Sequence, residues 1–155
     1  MTEPGATGAL QAALAAEHAA VYGYGVVGAY LAGGSRVAAT ADWVAHQNAR
    51  DELEAVLRSR GSRPGSAAIA YQLPIPVRTS GQAVSLAVIL EERIATAYLR
   101  VVALSTPALR ELGALQVRES ALRAAFWRGT TVAFPGLTAA AFARPRRNPA
   151  PGPES

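Results

Sequence analysis

Two stretches of the chain share one spacing of mainly apolar residues, and each contains a glutamate and a tyrosine at matching positions. The first stretch comprises Leu10, Leu14, Glu17, Val21, Tyr24, Gly28 and Leu31, and the second comprises Val84, Val88, Glu91, Ala95, Tyr98, Val102 and Ser105. Each residue of the second lies 74 positions after its counterpart. Steps of four and three residues place side chains on one stripe of an α-helix. The repeat therefore predicts two related half-bundles, each with an inward glutamate.

Composition and helix-terminal residues predict an all-α chain with four long helices. Half of the 155 residues are apolar, 6% are aromatic and 35 are alanine, which favours tightly packed helices over a β-sandwich. Gly61 has the position of a helix C′ glycine, and Pro107 follows a Ser-Thr pair that can cap a helix. The predicted helices cover residues 7–31, 35–60, 81–104 and 105–129, with Thr79 and Ser80 as cap candidates of the third.

The connections between these helices predict their topology. Short links join the first helix to the second and the third to the fourth, as between antiparallel neighbours. Residues 61–81 contain three prolines and no helical period. These residues reach at most roughly 70 Å when extended, whereas a bundle helix is about 33 Å long. We therefore expect a ferritin-like antiparallel four-helix bundle with one long crossover between helices two and three.

The C-terminal part divides into an apolar stretch and a polar tail. We expect Phe134, Leu137 and Phe142 to pack back onto the bundle, which gives a domain over residues 7–143. Residues 144–155 are rich in arginine and proline and are predicted to be a disordered tail.

Four polar residues interrupt the predicted inward stripes. The second helix presents Trp43, His46, Arg50, Leu53 and Leu57, and the fourth presents Leu112, Leu115, Glu119, Leu122 and Phe126. Glu17, His46, Glu91 and Glu119 should then converge near the middle of the bundle. Buried carboxylates must bind a cation, pair with arginine or hold protons. Two interpretations follow, an iron, manganese or zinc site, or a structural polar network with Arg50 or Arg123 as counter-ion and the tyrosines as hydrogen-bond partners.

Several segments resemble the ferritin-like superfamily, and more narrowly a family of small, alanine-rich ferritin-like domains of unknown function from high-G+C bacteria. The resemblance lies in AAEHAAVYGYG (15–25), AHQNARDE (45–52), YQLPIPV (71–77), LEERIATAY (90–98), RESALRAAFW (118–127) and AFPG (133–136). It implies a helical fold, a homodimer and no established activity.

The di-iron pattern of that superfamily is one glutamate from each of two helices and Glu-x-x-His from each of the other two. Glu17 and Glu91 match the single glutamates, His46 remains where Trp43 replaces its glutamate, and Glu119 remains where Leu122 replaces its histidine. Four of six ligands survive, so we expect a degenerate centre, no oxidase activity and a structural or interaction role. The alternative is an iron- or manganese-binding or redox protein that uses these four residues.

Other classes of function are disfavoured by composition. The chain has no cysteine and two histidines, which excludes disulfides, thiolate nucleophiles and three-histidine metal sites. Without residues 144–155, which carry three arginines and one glutamate, the net charge falls from +4 to +2, too low for a nucleic-acid footprint. The uncharged run 19–34 is too short to span a bilayer. With no signal-peptide pattern, we expect a cytoplasmic protein.

Two further signals have structural interpretations. Gly23, Gly25 and Gly28 match G-x-G-x-x-G but lie inside a predicted helix, where glycines favour close helix packing rather than nucleotide binding. His18 lies about 100° around the helix from Glu17. We therefore expect His18 to be exposed or at an interface.

Overall fold

A computed structural model of the chain describes residues 4–104 and 106–130, and all regular structure in this part is helical. The four helices are α1 (Pro4–Ala29), α2 (Gly33–Ser59), α3 (Ser80–Leu104) and α4 (Pro107–Arg128). Helix α1 packs against α2 and α3, and α4 packs against α3. The prediction of an all-α chain with four helices is thereby confirmed, with the start of α1 three residues earlier than expected.

The ends of the helices follow from the residues that the sequence places there. Gly61 has a φ of 72°, and the amide of Ser62 donates to the Leu57 carbonyl at 2.9 Å, which closes α2 in a Schellman turn. At the start of α3, the Thr79 hydroxyl accepts a hydrogen bond from the amide of Gln82 at 3.2 Å. Gly129, with a φ of 77°, ends α4.

Two apolar clusters form the core. One contains Leu10, Leu14, Leu53, Leu57, Ile94, Tyr98 and Val101, and the other contains Tyr24, Val27, Leu31, Leu86, Leu90 and Trp127. Along α2 and α3, His46 and Glu91 fall between residues of the two clusters. The polar centre is thus enclosed by apolar packing at both ends.

The expected inward face of α4 is wrong for most of its large apolar residues, although Leu112 does pack against the core. Leu115, Leu122 and Phe126 are exposed, at 51%, 54% and 64% of their surface. The buried residues of α4 are instead Leu109, Gly113, Ser120, Ala124 and Trp127. Most of these are small, and a Cβ added at Gly113 would lie 3.2 Å from the Tyr98 carbonyl oxygen. Small residues on this face allow the α4 backbone to approach α3 closely, which turns its larger apolar residues outward.

Residues 60–79 connect α2 to α3 and follow the surface of α1. The side chain of Gln11 donates to the carbonyl of Arg63 at 2.7 Å and accepts from the amide of Gly65 at 2.9 Å. Further along α1, the His18 ring lies 3.1 Å from the Gly65 carbonyl oxygen. His18 is only 8% exposed, because the connecting segment covers it. Of the two expected positions, exposed or at an interface, the exposed one is therefore wrong.

Several expectations concern residues outside the described part of the chain. These are the packing of Phe134, Leu137 and Phe142, the disordered tail at 144–155 and the C-terminal boundary of the domain at residue 143. Among the described helices, none has the length and apolar character needed to cross a membrane. The cytoplasmic location stays a prediction.

The glycines of α1 and α4 provide a matched test of helix packing. Gly113→Ala should lower the free energy of unfolding by about 1 kcal/mol, because the new methyl group would contact the backbone of α3. Gly25→Ala should raise it by up to about 1 kcal/mol, because alanine favours helix and no described neighbour lies within 4 Å of the added Cβ. Urea unfolding of both variants measures the difference. Equal effects of the two changes would contradict the close approach of α4 to α3.

Candidate functional site

The polar centre of the bundle is built around the imidazole of His46 on α2. Its Nδ1 lies 2.7 Å from Oε2 of Glu17 on α1, and its Nε2 lies 3.0 Å from Oε1 of Glu91 on α3. All three side chains are almost completely buried. A neutral imidazole has one donor nitrogen, whereas the imidazolium has two. Two carboxylate acceptors therefore favour the protonated ring, which joins three helices.

The tyrosines of the repeated pattern complete the shell around the carboxylates. Tyr24 of α1 donates to Oε1 of Glu91 at 2.6 Å, and Tyr98 of α3 donates to Oε1 of Glu17 at 2.9 Å. Each tyrosine thus donates a hydrogen bond to the glutamate of the other helix. Each tyrosine lies two turns after the glutamate on its own helix. The sequence repeat therefore produces two matching contacts between α1 and α3.

A second group of polar residues links this centre to α4. The indole of Trp127 donates to Oδ2 of Asp42 at 2.8 Å, and Nε of Arg123 lies 3.3 Å from Oδ1 of the same carboxylate. Arg123 also places Nη1 3.9 Å from Oε2 of Glu91. Arg123 is therefore the cation of α4 that faces both carboxylates.

Burial and neighbouring groups raise the pKa values of His46, Asp42, Tyr24 and Tyr98. Burial alone lowers the pKa of His46, but hydrogen bonds to Glu17 and Glu91 and their charges outweigh it and raise the pKa to about 9. Burial raises the pKa of Asp42, an effect that the Trp127 hydrogen bond opposes. Burial and the adjacent carboxylates raise the pKa of both Tyr24 and Tyr98, so both phenols stay neutral.

The structure brings together three of the four residues singled out in the sequence and leaves Glu119 apart. The Glu119 side chain is 37% exposed and forms an ion pair with Arg118 at 3.4 Å. The repeat of 74 residues explains this position, because it pairs His46 with Ser120 rather than with Glu119. Ser120 is fully buried on the inner face of α4.

The sequence interpretation missed Asp42, Ser120 and Trp127. Applying the offset of 74 to the second and fourth helices would have identified Ser120 as the counterpart of His46. Asp42 lies one turn before His46, but nothing in the sequence pairs it with the indole of Trp127. Of the two arginines considered as counter-ions, Arg123 approaches the centre, while Arg50 pairs with Asp51 at 2.7 Å.

The residues at this centre do not fit a di-iron site. Both ring nitrogens of His46 are bonded to the carboxylates that would have to share a metal with it. Glu119 is directed elsewhere, and in residues 4–104 and 106–130 no three His, Asp or Glu side chains are arranged to hold one ion. Two-metal chemistry needs a ligand set for each ion. Within the part of the chain that the structure describes, Oε2 of Glu91 has no hydrogen-bond partner.

The chain is similar to proteins of one known family. Residues 9–139 match the model of a domain of unknown function, DUF4439. The chain belongs to this family. It is also similar to the crystal structure of a conserved hypothetical protein from Mycobacterium tuberculosis, with 36% sequence identity and a TM-score of 0.79. That similarity covers 83% of this chain and 98% of the other. No curated protein matches the chain significantly.

The raised pKa of His46 predicts a dependence of stability on pH. Because the folded pKa of about 9 exceeds the ordinary value of 6.5, the stabilisation is complete below pH 6.5 and is lost as the pH rises through 9. The free energy of unfolding should fall by about 3 kcal/mol across this window. Urea unfolding between pH 6 and pH 9.5 measures the change.

Two variants serve as controls for this dependence. His46→Gln should abolish most of the fall, while His18→Gln should retain it, because His18 bonds to a backbone carbonyl rather than to carboxylates. A wild-type protein of constant stability over this range would show that His46 is not held as an imidazolium.

Proposed function

We propose that this member of the DUF4439 family is a ferritin-like antiparallel four-helix bundle whose di-iron centre is degenerate. In this proposal the His46 network replaces the metal as the element that holds the helices together. The protein then has a structural or interaction role and is not an oxidase. We also propose the homodimer that the ferritin-like resemblance implies, with a domain over residues 7–143.

One observation carries the proposal, the closed hydrogen bonding of His46. Its two nitrogens, the two glutamates and the two tyrosines form a chain from Tyr98 to Tyr24 in which each donor finds a carboxylate. A buried charge is tolerated when it is paired and hydrogen-bonded. The imidazolium thus does in this bundle what a metal cation does in a di-iron protein, which is to neutralise inward carboxylates.

The contacts of the chain support the proposed topology. The exchange of tyrosines pairs residue 24 with 91 and residue 17 with 98, so positions that advance along α1 meet positions that recede along α3. Residues 60–79 meet α1 first at Gln11, next at His18 and then at Tyr22, whose ring lies 5.6 Å from that of Tyr71. A segment that follows α1 in this order is what a long crossover requires.

Removal of one buried carboxylate tests the structural role. Glu17→Ala should lower the free energy of unfolding by about 1–3 kcal/mol, because His46 and Tyr98 each lose a partner. Metal analysis of the wild-type protein should find well under one iron or manganese per chain, unchanged in the variant. Glu111→Ala, at an exposed position of α4, is the control and should change stability by less than about 0.5 kcal/mol.

The proposal fails if wild-type protein is isolated with nearly one iron or manganese per chain and Glu17→Ala loses it. A loss of stability no greater than that of Glu111→Ala would equally contradict a structural role for the network.

A second candidate function is the binding of a single iron or manganese ion. The observation that favours it is Oε2 of Glu91, a buried carboxylate oxygen that has no hydrogen-bond partner among the described residues and lies 3.9 Å from Nη1 of Arg123. Glu17, His46, Glu91 and Glu119 are the proposed ligands, and His46 would have to give up one carboxylate to bind. Carboxylates and an imidazole suit these metals.

Thermal unfolding with added metal distinguishes the two functions. If the site binds Fe²⁺ or Mn²⁺, the Tm rises with metal concentration, and His46→Ala abolishes the rise. Glu119→Ala is the matched variant, since its exposed side chain is the one placed away from the centre. An unchanged Tm at millimolar metal would rule out this second function. A rise that Glu119→Ala preserves would remove Glu119 from the ligand set.

A further inference from the structure

One side of the bundle is open between α2 and α4. Helix α1 packs against α2 and α3, and α3 packs against α4, but no comparable packing joins α2 to α4 in the described chain. A groove of about 320 Å³ lies between them. We call this the α2–α4 groove, and it is lined by Ala38, Ala41, Asp42, Glu119, Leu122, Arg123 and Phe126.

Two large apolar side chains line this groove and face solvent. Leu122 and Phe126 of α4 are 54% and 64% exposed. They lie four residues apart and are therefore neighbours on one face of α4. The carboxylate of Asp42 and the guanidinium of Arg123 meet in the groove and neutralise each other at 3.3 Å. Contiguous exposed apolar surface of this kind marks a binding site.

The sequence that follows α4 matches the groove in chemistry and in position. Residues 131–139, TVAFPGLTA, contain no charged residue and carry Val132, Phe134 and Leu137. The family model continues through residue 139, which assigns this stretch to the domain. Helix α4 ends at Gly129, three residues after Phe126, so the described chain ends about one helical turn beyond a residue that lines the groove.

Chain length also permits this segment to cover the groove. Nine extended residues reach up to about 30 Å, whereas the rise from Leu122 to Phe126 along α4 is about 6 Å. A short covalent tether gives the segment an effective concentration in the millimolar range, which favours it over a second molecule at ordinary protein concentrations.

We propose that residues 131–139 bind back across the α2–α4 groove of their own chain. Phe134 and Leu137 then cover Leu122 and Phe126, and the segment shields the Asp42–Arg123 pair that connects α4 to the His46 centre. A second copy of the chain, or a separate partner, is the competing occupant of this surface.

Disulfide trapping in the full-length chain tests the proposal. Because the chain has no cysteine, only introduced thiols can react. Leu122→Cys combined with Phe134→Cys, and Leu122→Cys combined with Leu137→Cys, place one thiol in the groove and one in the segment. Leu122 is exposed, so its replacement leaves the described core intact.

The matched control is Leu104→Cys combined with Phe134→Cys. Leu104 is 48% exposed, similar to Leu122, but it lies before the start of α4, about 30 Å from the end of that helix. A segment that begins at Gly129 and is extended to residue 134 spans only about 17 Å. The Leu104 thiol is therefore out of its reach.

Non-reducing gels and mass spectrometry separate the outcomes. We expect at least one groove pair to form an intrachain disulfide in dilute protein at least about tenfold faster than the control pair. Disulfides between two chains would overturn the proposal in favour of a second copy in the groove. Groove pairs that react no faster than the control would show that residues 131–139 do not occupy it.

Discussion

The contact on which the rest of the bundle depends is the His46 imidazole between the carboxylates of Glu17 and Glu91. An isolated carboxylate in an apolar core is very unfavourable, and here two of them are buried. One imidazolium between them removes most of that cost and joins three helices at one point. The registers of α1, α2 and α3 are thereby coupled, because a shift of any one helix would leave a buried charge without its partner.

Helix α4 participates in a different way. Helix α4 contributes no hydrogen-bond partner to His46, and its inner face is formed mainly of small residues that let it lie close to α3. Its polar contribution is Arg123, directed at Asp42 and Glu91. This division explains why a leucine rather than a histidine at position 122 is compatible with a well-packed bundle. The centre is completed without that helix, and Glu119 is free to face the surface.

The open side between α2 and α4 follows from the same arrangement. Because α4 directs its small residues toward α3, its large apolar residues are left on the outer surface beside the groove. An exposed surface of this kind is costly unless something covers it. Residues 131–139, which follow α4 directly in the sequence, are uncharged and carry apolar residues suited to such contacts. In the proposed arrangement, the segment that covers the groove also shields the Asp42–Arg123 pair beside the polar centre.

The sequence alone was sufficient to predict the four helices and the inward positions of Glu17, Tyr24, Glu91 and Tyr98. This is because helical periodicity is a local property of the sequence, and the same pattern occurs in two stretches 74 positions apart. It was not sufficient for α4, where the four-and-three spacing of large residues through Leu115 and Leu122 describes the outer face. The spacing of large apolar residues does not show which face of a helix packs against its neighbour when small residues make the closer contact.

Only the tertiary structure decided which polar groups meet. Helical spacing places Tyr24 and Glu17 on one stripe, but the hydrogen bonds run from each tyrosine to the glutamate of the other helix. The pairing of Asp42 with Trp127 and Arg123 likewise joins residues more than 80 positions apart. Such contacts depend on the distance and rotation between helices, which are set by packing across the whole core. The burial of Glu17, His46 and Glu91 was thus readable from the sequence, whereas the outward position of Glu119 and the exact pairing of the polar groups were not.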